Sequence, residues 1–226
     1  MHASKKPLLT LLAFSCATGL LAGCGGNQAS VEETHTVCEA SADITDDADR
    51  NHLFPDTYLI TEDNYFDYQP GLECAAFSSA YVLRHFGEEA DGLELFEGFP
   101  GKLPDGNGVY PSGVKQFWDD LEGYSADFKN GGTVEELKGL VSTGVPVIVF
   151  IHVEEPYTTT HNTHYLPLIG YDEVYFYFAE SLDYLANCKD EPRLGYNRKT
   201  EINKFERLWS NIDGVWEQPY FVVTRE

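Results

Sequence analysis

Apolar side chains along residues 74–86 recur at Phe77, Ala80, Tyr81 and Leu83 or Val82, close to the 3.6-residue period of a helix, and Gly87 follows as a stop. The spacing predicts a helix opening at Cys74. A second short helix is expected over Val114–Leu121, where Val114, Phe117, Trp118 and Leu121 share one face behind Ser112 as a cap. Thr133 and Glu136 form a capping-box pair ahead of Leu137, Leu140 and Val141, which marks a third. The period then changes. Val145–Val153 is a β-branched run, and Tyr165–Tyr171 and Val174–Phe178 are strand candidates around a turn at Asp172 and Glu173. Ile202, Phe205, Leu208 and Trp209 suggest a last short helix, and Tyr220–Thr224 a closing strand. Helices first and antiparallel strands second predict an α+β domain with helices packed on one face of the sheet.

Ahead of this pattern stand two segments of different character. Lys5 and Lys6 precede an apolar run from Pro7 to Leu21, followed by Ala22, Gly23 and Cys24, the layout of a basic start, an apolar stretch and a small-residue cleavage site. The run is too short to span a membrane as a mature helix. Leu21 to Cys24 resemble the lipobox of bacterial lipoproteins, which implies that residues 1–23 are a signal peptide and that Cys24 is lipidated. The expected location is the extracytoplasmic face of a bacterial cell envelope, with the membrane touched through the lipid anchor alone. An ordinary secretory signal with a chance cysteine exports the chain equally well. Residues 24–52 are polar, acid-rich and free of aromatics, and read as a tether. The domain is expected over residues 53–226.

Hydrophobic content of 42% with 14% aromatics is enough for that domain to bury a core. The 15 Lys and Arg against 37 Asp and Glu give a net charge of -22, which repels phosphate backbones and predicts no nucleic-acid partner.

Cys74 carries the chemistry of most interest. It stands at the start of its helix behind Pro70 and Gly71, so its thiol faces free backbone N–H groups and the positive end of the helix dipole, which favour thiolate. The same N–H groups suit an oxyanion. A buried structural cysteine is the plainer reading of the same position. A nucleophilic thiol needs an imidazole as base. Of seven histidines, His2, His35 and His52 fall in or at the edge of the first two segments, and His85 lies about three turns along the helix of Cys74. His152 ends a strand, while His161 and His164 bracket a loop, with His164 at the mouth of the next strand. His164 is the best-placed base. A three-residue hairpin turn sets Glu180 opposite His164 as the group that orients it, whereas a two-residue turn sets Ser181 there.

Of the five cysteines, Cys16 falls in the signal and Cys24 is the lipid site, leaving Cys38, Cys74 and Cys188 in an oxidising compartment. A nucleophilic Cys74 cannot pair, so Cys38 is expected to bond Cys188. The closed loop of about 150 residues would stabilise the fold by about 4–5 kcal/mol in the chain-entropy picture.

The ordered set Gln69, Glu73-Cys74-Ala75-Ala76, Ala80 to Leu83 with Gly87, Gly144 to Val149, His164-Tyr165, Ile169 to Asp172 and Ala179-Glu180-Ser181 resembles the bacteriocin-processing cysteine peptidases of the papain-like superfamily. The resemblance spans roughly residues 65 to 185. It implies a papain-like fold and a cysteine peptidase cutting a peptide or isopeptide bond in a peptide or protein substrate, with no cofactor. Carried over by position, Gln69 lends its amide to the oxyanion hole, Cys74 attacks, His164 is the base and Glu180 the acid. Two positions depart from the pattern. Cys74-Ala75-Ala76 stands where many members have Cys-Gly-Pro, and Glu180 replaces the usual aspartate with a side chain one methylene longer.

Three other readings use the same residues. One aims the Cys74–His164 pair at cell-wall peptide amides, although no wall-binding repeat is present. Another is a surface binding module that kept the scaffold and lost turnover. The third, metal binding by His152, His161 and His164, lacks the central Glu of the zinc motif, and no metal is expected.

Overall fold

The computed structural model describes residues 53–104, 106, 108–153 and 163–226. The expected signal and tether, with Cys24 and Cys38, and His161 lie outside them. In chain order the elements are β1 (Tyr58–Leu59), α1 (Cys74–His85), α2 (Gly92–Gly98), α3 (Pro111–Asp120), β2 (Tyr124–Lys129), α4 (Val134–Val141), β3 (Val147–His152), β4 (Thr163–Tyr171), β5 (Tyr175–Phe178), β6 (Arg198–Glu201), α5 (Ile202–Trp209) and β7 (Tyr220–Arg225). The strands make one seven-stranded sheet in the order β2-β7-β3-β4-β5-β6, with β1 paired to β4, and every pairing is antiparallel. This is the expected α+β class.

Helices cover both faces of the sheet, not one as the order of elements suggested. Successive side chains of a strand point to opposite faces. Accordingly Val147, Val149 and Ile151 join Leu137 and Val141 of α4 and Phe205, Leu208 and Trp209 of α5 in one core. Ile148 and Phe150 join Ala75 and Ala76 of α1 and Val114 and Trp118 of α3 in the other. All six residues of β3 are buried. A continuous apolar run is the mark of a strand covered on both sides, and Val147–Ile151 carries it.

α1 is buried almost all round, from Cys74 to Leu83, because Ala75, Ala76, Ser78, Ser79 and Ala80 are small enough to let neighbours approach from several sides. Ser78 Oγ ties it to β4 by donating to the Tyr165 carbonyl at 2.9 Å. Its far end closes on Gly87 at φ +87°, with Gly87 N–H donating to Arg84 O and Glu88 N–H to Leu83 O, a Schellman motif. α4 opens as its capping pair predicts, with Thr133 Oγ1 accepting from Glu136 N–H at 3.1 Å. α3 starts earlier than expected. Pro111 occupies its first turn and Tyr110 the cap position, so Ser112 lies inside the helix.

Gly170 in mid-strand answers to β1, since a Cβ there would sit 2.5 Å from the Tyr58 carbonyl oxygen. The contact brings the chain at residues 58–60 against β4, ahead of the segment that leads to Cys74.

Candidate active site

Cys74 is the first residue of α1 and is 9% exposed. Glu73 before it makes no side-chain cap. Its carboxylate turns back and accepts from Gly71 N–H at 2.8 Å. The Glu73 carbonyl takes the N–H groups of Ala76 and Phe77, so those of Cys74 and Ala75 have no intrahelical acceptor. The thiol therefore shares the helix start with two open donors.

His164 is the second residue of β4, opposite Ile151, and is buried. Its Nε2 lies 2.8 Å from Glu180 Oε1, and Cys74 is among the groups that favour the charged ring, which leaves Nδ1 as the nitrogen for the thiol. Glu180 is 1% exposed, yet its oxygens are well served. Oε1 also accepts from Leu182 N–H at 2.6 Å, and Oε2 accepts from Arg198 Nη1 at 2.5 Å. Burial pushes the His164 ring down, but the facing Glu180 charge and the hydrogen bonds to Cys74 and Glu180 outweigh it and raise the ring to about 9. Burial pushes Glu180 up, and His164, Arg198 and Leu182 N–H reverse that, holding it at about 2. At neutral pH the pair stands as imidazolium and carboxylate.

The contact arises differently from either hairpin register expected. Asp172 Oδ1 accepts from both Val174 N–H and Tyr175 N–H, at 2.7 and 2.6 Å, and this Asx turn takes Val174 out of the strand. Tyr171 thus pairs with Phe176 and Gly170 with Tyr177, and an irregularity follows before Leu168 meets Phe178. Glu180 lies past that last pair. Its backbone is held by Asn197, whose Oδ1 accepts from Glu180 N–H at 2.7 Å and whose Nδ2 donates to the Glu180 carbonyl at 2.8 Å.

Ser181, the alternative partner for His164, serves Gln69 instead. Gln69 N–H donates to the Ser181 carbonyl at 2.8 Å, and Ser181 Oγ donates to Gln69 Oε1 at 2.6 Å. Gln69 Nε2 donates to the Gly71 carbonyl at 2.7 Å, which fixes the amide orientation and leaves its second N–H to spare. Gln69 and His164 are therefore anchored by consecutive residues, Ser181 and Glu180.

Asn197 and Arg198 are the site residues that sequence reading missed. Arg198 and Thr200 are the buried positions of β6, so the strand alternates polar residues inward and offers no apolar period to detect. His152 is buried, with Nε2 3.5 Å from the Asn211 carbonyl. Cys74 is the free cysteine among the described residues, and Cys188 is buried. The described residues hold no cluster of three His, Cys, Asp or Glu placed for a metal.

None of the curated proteins matches the chain. Among solved structures, a Bacillus anthracis protein described as a C39-like peptidase superposes with a TM-score of 0.59 at 20% identity, covering 76% of this chain and 99% of its own, and shares the fold. The peptidase domain of Streptococcus ComA, a bifunctional ABC transporter involved in quorum sensing, gives 0.49 at 13% identity over 71% of this chain and 98% of that one. A double-glycine-motif protease from an AMS/PCAT transporter, solved with its leader peptide, gives 0.48 at 18% identity over 72% and 91%. The model of the Peptidase C39 like family matches residues 66–216, which include Gln69, Cys74, His164, Glu180 and Arg198, and the chain belongs to that papain-like family.

Proposed function

We propose that this chain is a lipid-anchored, extracytoplasmic cysteine peptidase acting on a peptide or isopeptide bond of a peptide or protein substrate. The observation that carries the reading is the buried Glu180–His164 pair at 2.8 Å together with a buried thiol at a helix start. In the proposed cycle the Cys74 thiolate attacks the scissile carbonyl carbon and the carbonyl oxygen takes the charge. Cys74 N–H and the spare Gln69 N–H hold that oxyanion. As the C–N bond breaks, the His164 proton passes to the leaving amine and an acyl thioester remains. His164 then takes a proton from water, the hydroxide attacks the thioester carbon, the C–S bond breaks and thiolate and imidazolium are restored. Glu180 keeps the ring oriented throughout and favours its charged form.

A thiol alkylator titrated against the mature protein tests this directly. One equivalent per chain is expected to end amide hydrolysis, and a chelator to leave it unchanged. Hydrolysis that survives full alkylation of Cys74, or that a chelator removes, overturns the reading.

The anchor and the disulfide belong to the same proposal. Cys24 carries lipid after removal of residues 1–23, and Cys38 is the partner of Cys188. Cys188 N–H donates to the Asn197 carbonyl at 2.9 Å, so the bond would secure the segment that clamps Glu180. Mass mapping of mature protein without reductant is expected to show an acylated Cys24 terminus and a linked Cys38–Cys188 peptide pair. An unmodified Cys24, or a bond to Cys74, counts against it.

A further inference from the structure

We propose that Arg198 is a positioning residue of the site, a fourth buried group that holds Glu180 in the geometry and charge state that His164 needs. The inference rests on the function proposed above. A carboxylate has two oxygens, and here they are divided. Oε1 faces His164 and Oε2 faces Arg198. Rotation of the carboxylate about its last bond would have to break the Arg198 hydrogen bond, so the guanidinium fixes which oxygen the imidazole meets and at what angle.

Arg198 is itself fixed. Its side chain is 6% exposed, Nε donates to Thr200 Oγ1 at 3.3 Å, and its guanidinium carbon lies 5.9 Å from the centre of the Phe178 ring. Asn197 grips the Glu180 backbone from the neighbouring position, so β6 fixes both the main chain and the side chain of the acid.

Charge gives a second reason. In the working state Cys74 is an anion, His164 a cation and Glu180 an anion, which leaves a buried array with one net negative charge. Arg198 brings the array to neutrality. An unbalanced buried charge is costly, and the group yields its charge instead. Without Arg198 the carboxylate is the group that protonates. The other groups facing Glu180 do not replace the guanidinium. Tyr81 and Arg84 of α1 and Asp67 line the small cavity next to it, and Arg84 is engaged by Asp67 at 3.6 Å, by Asn64 and by the carbonyls of Tyr65 and Ala90.

The test is the pH dependence of Cys74 alkylation by iodoacetamide and of kcat and KM, in wild type, Arg198→Gln and Arg198→Lys. For Arg198→Gln the acid limb of both profiles is expected to move up by about one pH unit or more, since protonation of Glu180 becomes easier and His164 loses the charge that supports it. Its kcat is expected to fall about tenfold to a hundredfold at unchanged KM, the scale known for groups that orient a functional side chain from behind. Arg198→Lys keeps the charge and loses the planar fork, so its acid limb stays near wild type while kcat drops severalfold. If Arg198→Gln does not fold, Arg198→Lys decides alone: lower kcat at constant KM supports the role and wild-type kcat overturns it. Wild-type Cys74 with no fast alkylation below pH 7 overturns the proposed function and this inference together. Fast wild-type alkylation with unmoved profiles in the variants overturns the role of Arg198 alone.

Discussion

Cys74→Ala and His164→Ala each remove essentially all amide hydrolysis, and Gln69→Ala lowers kcat by roughly a hundredfold or more, the usual scale for losing one oxyanion donor. The first two effects follow from one contact. Cys74, only 9% exposed, has no proton acceptor without the ring, and the ring without the thiol has nothing to activate. Losses in groups that act as a unit do not add, so the Cys74→Ala, His164→Ala double variant is expected to be no worse than either single one. Gln69 is different in kind. Its Oε1 is pinned by Ser181 and its Nε2 by Gly71, so truncation removes a donor that is already oriented and costs the transition state more than the bound substrate. The expected signature is a fall in kcat with little change in KM. Steady-state kinetics on a peptide substrate, with circular dichroism to confirm folding, reads all four variants. Undiminished hydrolysis in Cys74→Ala ends the mechanism.

The same residues show what a sequence can disclose. Cys74, Gly87 and Thr133 act through local chemistry, a helix start, a left-handed stop and a cap, and each stands where its type and spacing placed it. The strand at Val147–His152 was legible as a strand, but its unbroken apolar run also recorded burial on both faces, which the order of elements alone concealed. β2 left a fainter mark, the alternation of Tyr124, Ala126 and Phe128 after Gly123 at φ +80°, and α2 left only Asp91, whose side chain caps Leu93 and Glu94. The Glu180–His164 contact was legible as a pairing of residues and illegible as geometry. One Asx turn at Asp172 changed the hairpin register, and the compensation came from Asn197, seventeen residues further along the chain. No local pattern in a polar strand announces that an arginine and an asparagine will be buried against a carboxylate.

Glu180→Gln is expected to shift the alkaline limb of kcat/KM to lower pH and to lower kcat by about 10²- to 10⁴-fold, the range known when a base is left in the wrong tautomer. In the wild type, burial alone would discharge the imidazolium early, and Glu180 is the foremost group that opposes this and brings the ring to about 9. Activity therefore declines as pH rises through about 9, where His164 loses the proton destined for the leaving amine. Removing the carboxylate charge removes that support, and the limb falls by at least about one unit. Orientation suffers as well. The two oxygens of Glu180 accept from His164, Leu182 and Arg198, and a glutamine offers only one oxygen. If that oxygen faces His164, the amide N–H groups confront the Arg198 guanidinium. If it faces Arg198, the amide donates to Nε2, the neutral ring carries its proton on Nδ1, and it can no longer accept one from Cys74. Stability follows the same linkage. The raised His164 contributes fully below its ordinary value of 6.5 and loses that contribution as pH rises through about 9. The depressed Glu180 contributes above 4.5 and loses it as pH falls toward about 2. Glu180→Gln should therefore flatten the unfolding midpoint in both windows, measured by thermal melts from pH 2 to 10, alongside the kinetic profile. An alkaline limb that stays at its wild-type position in Glu180→Gln shows that Glu180 does not govern His164.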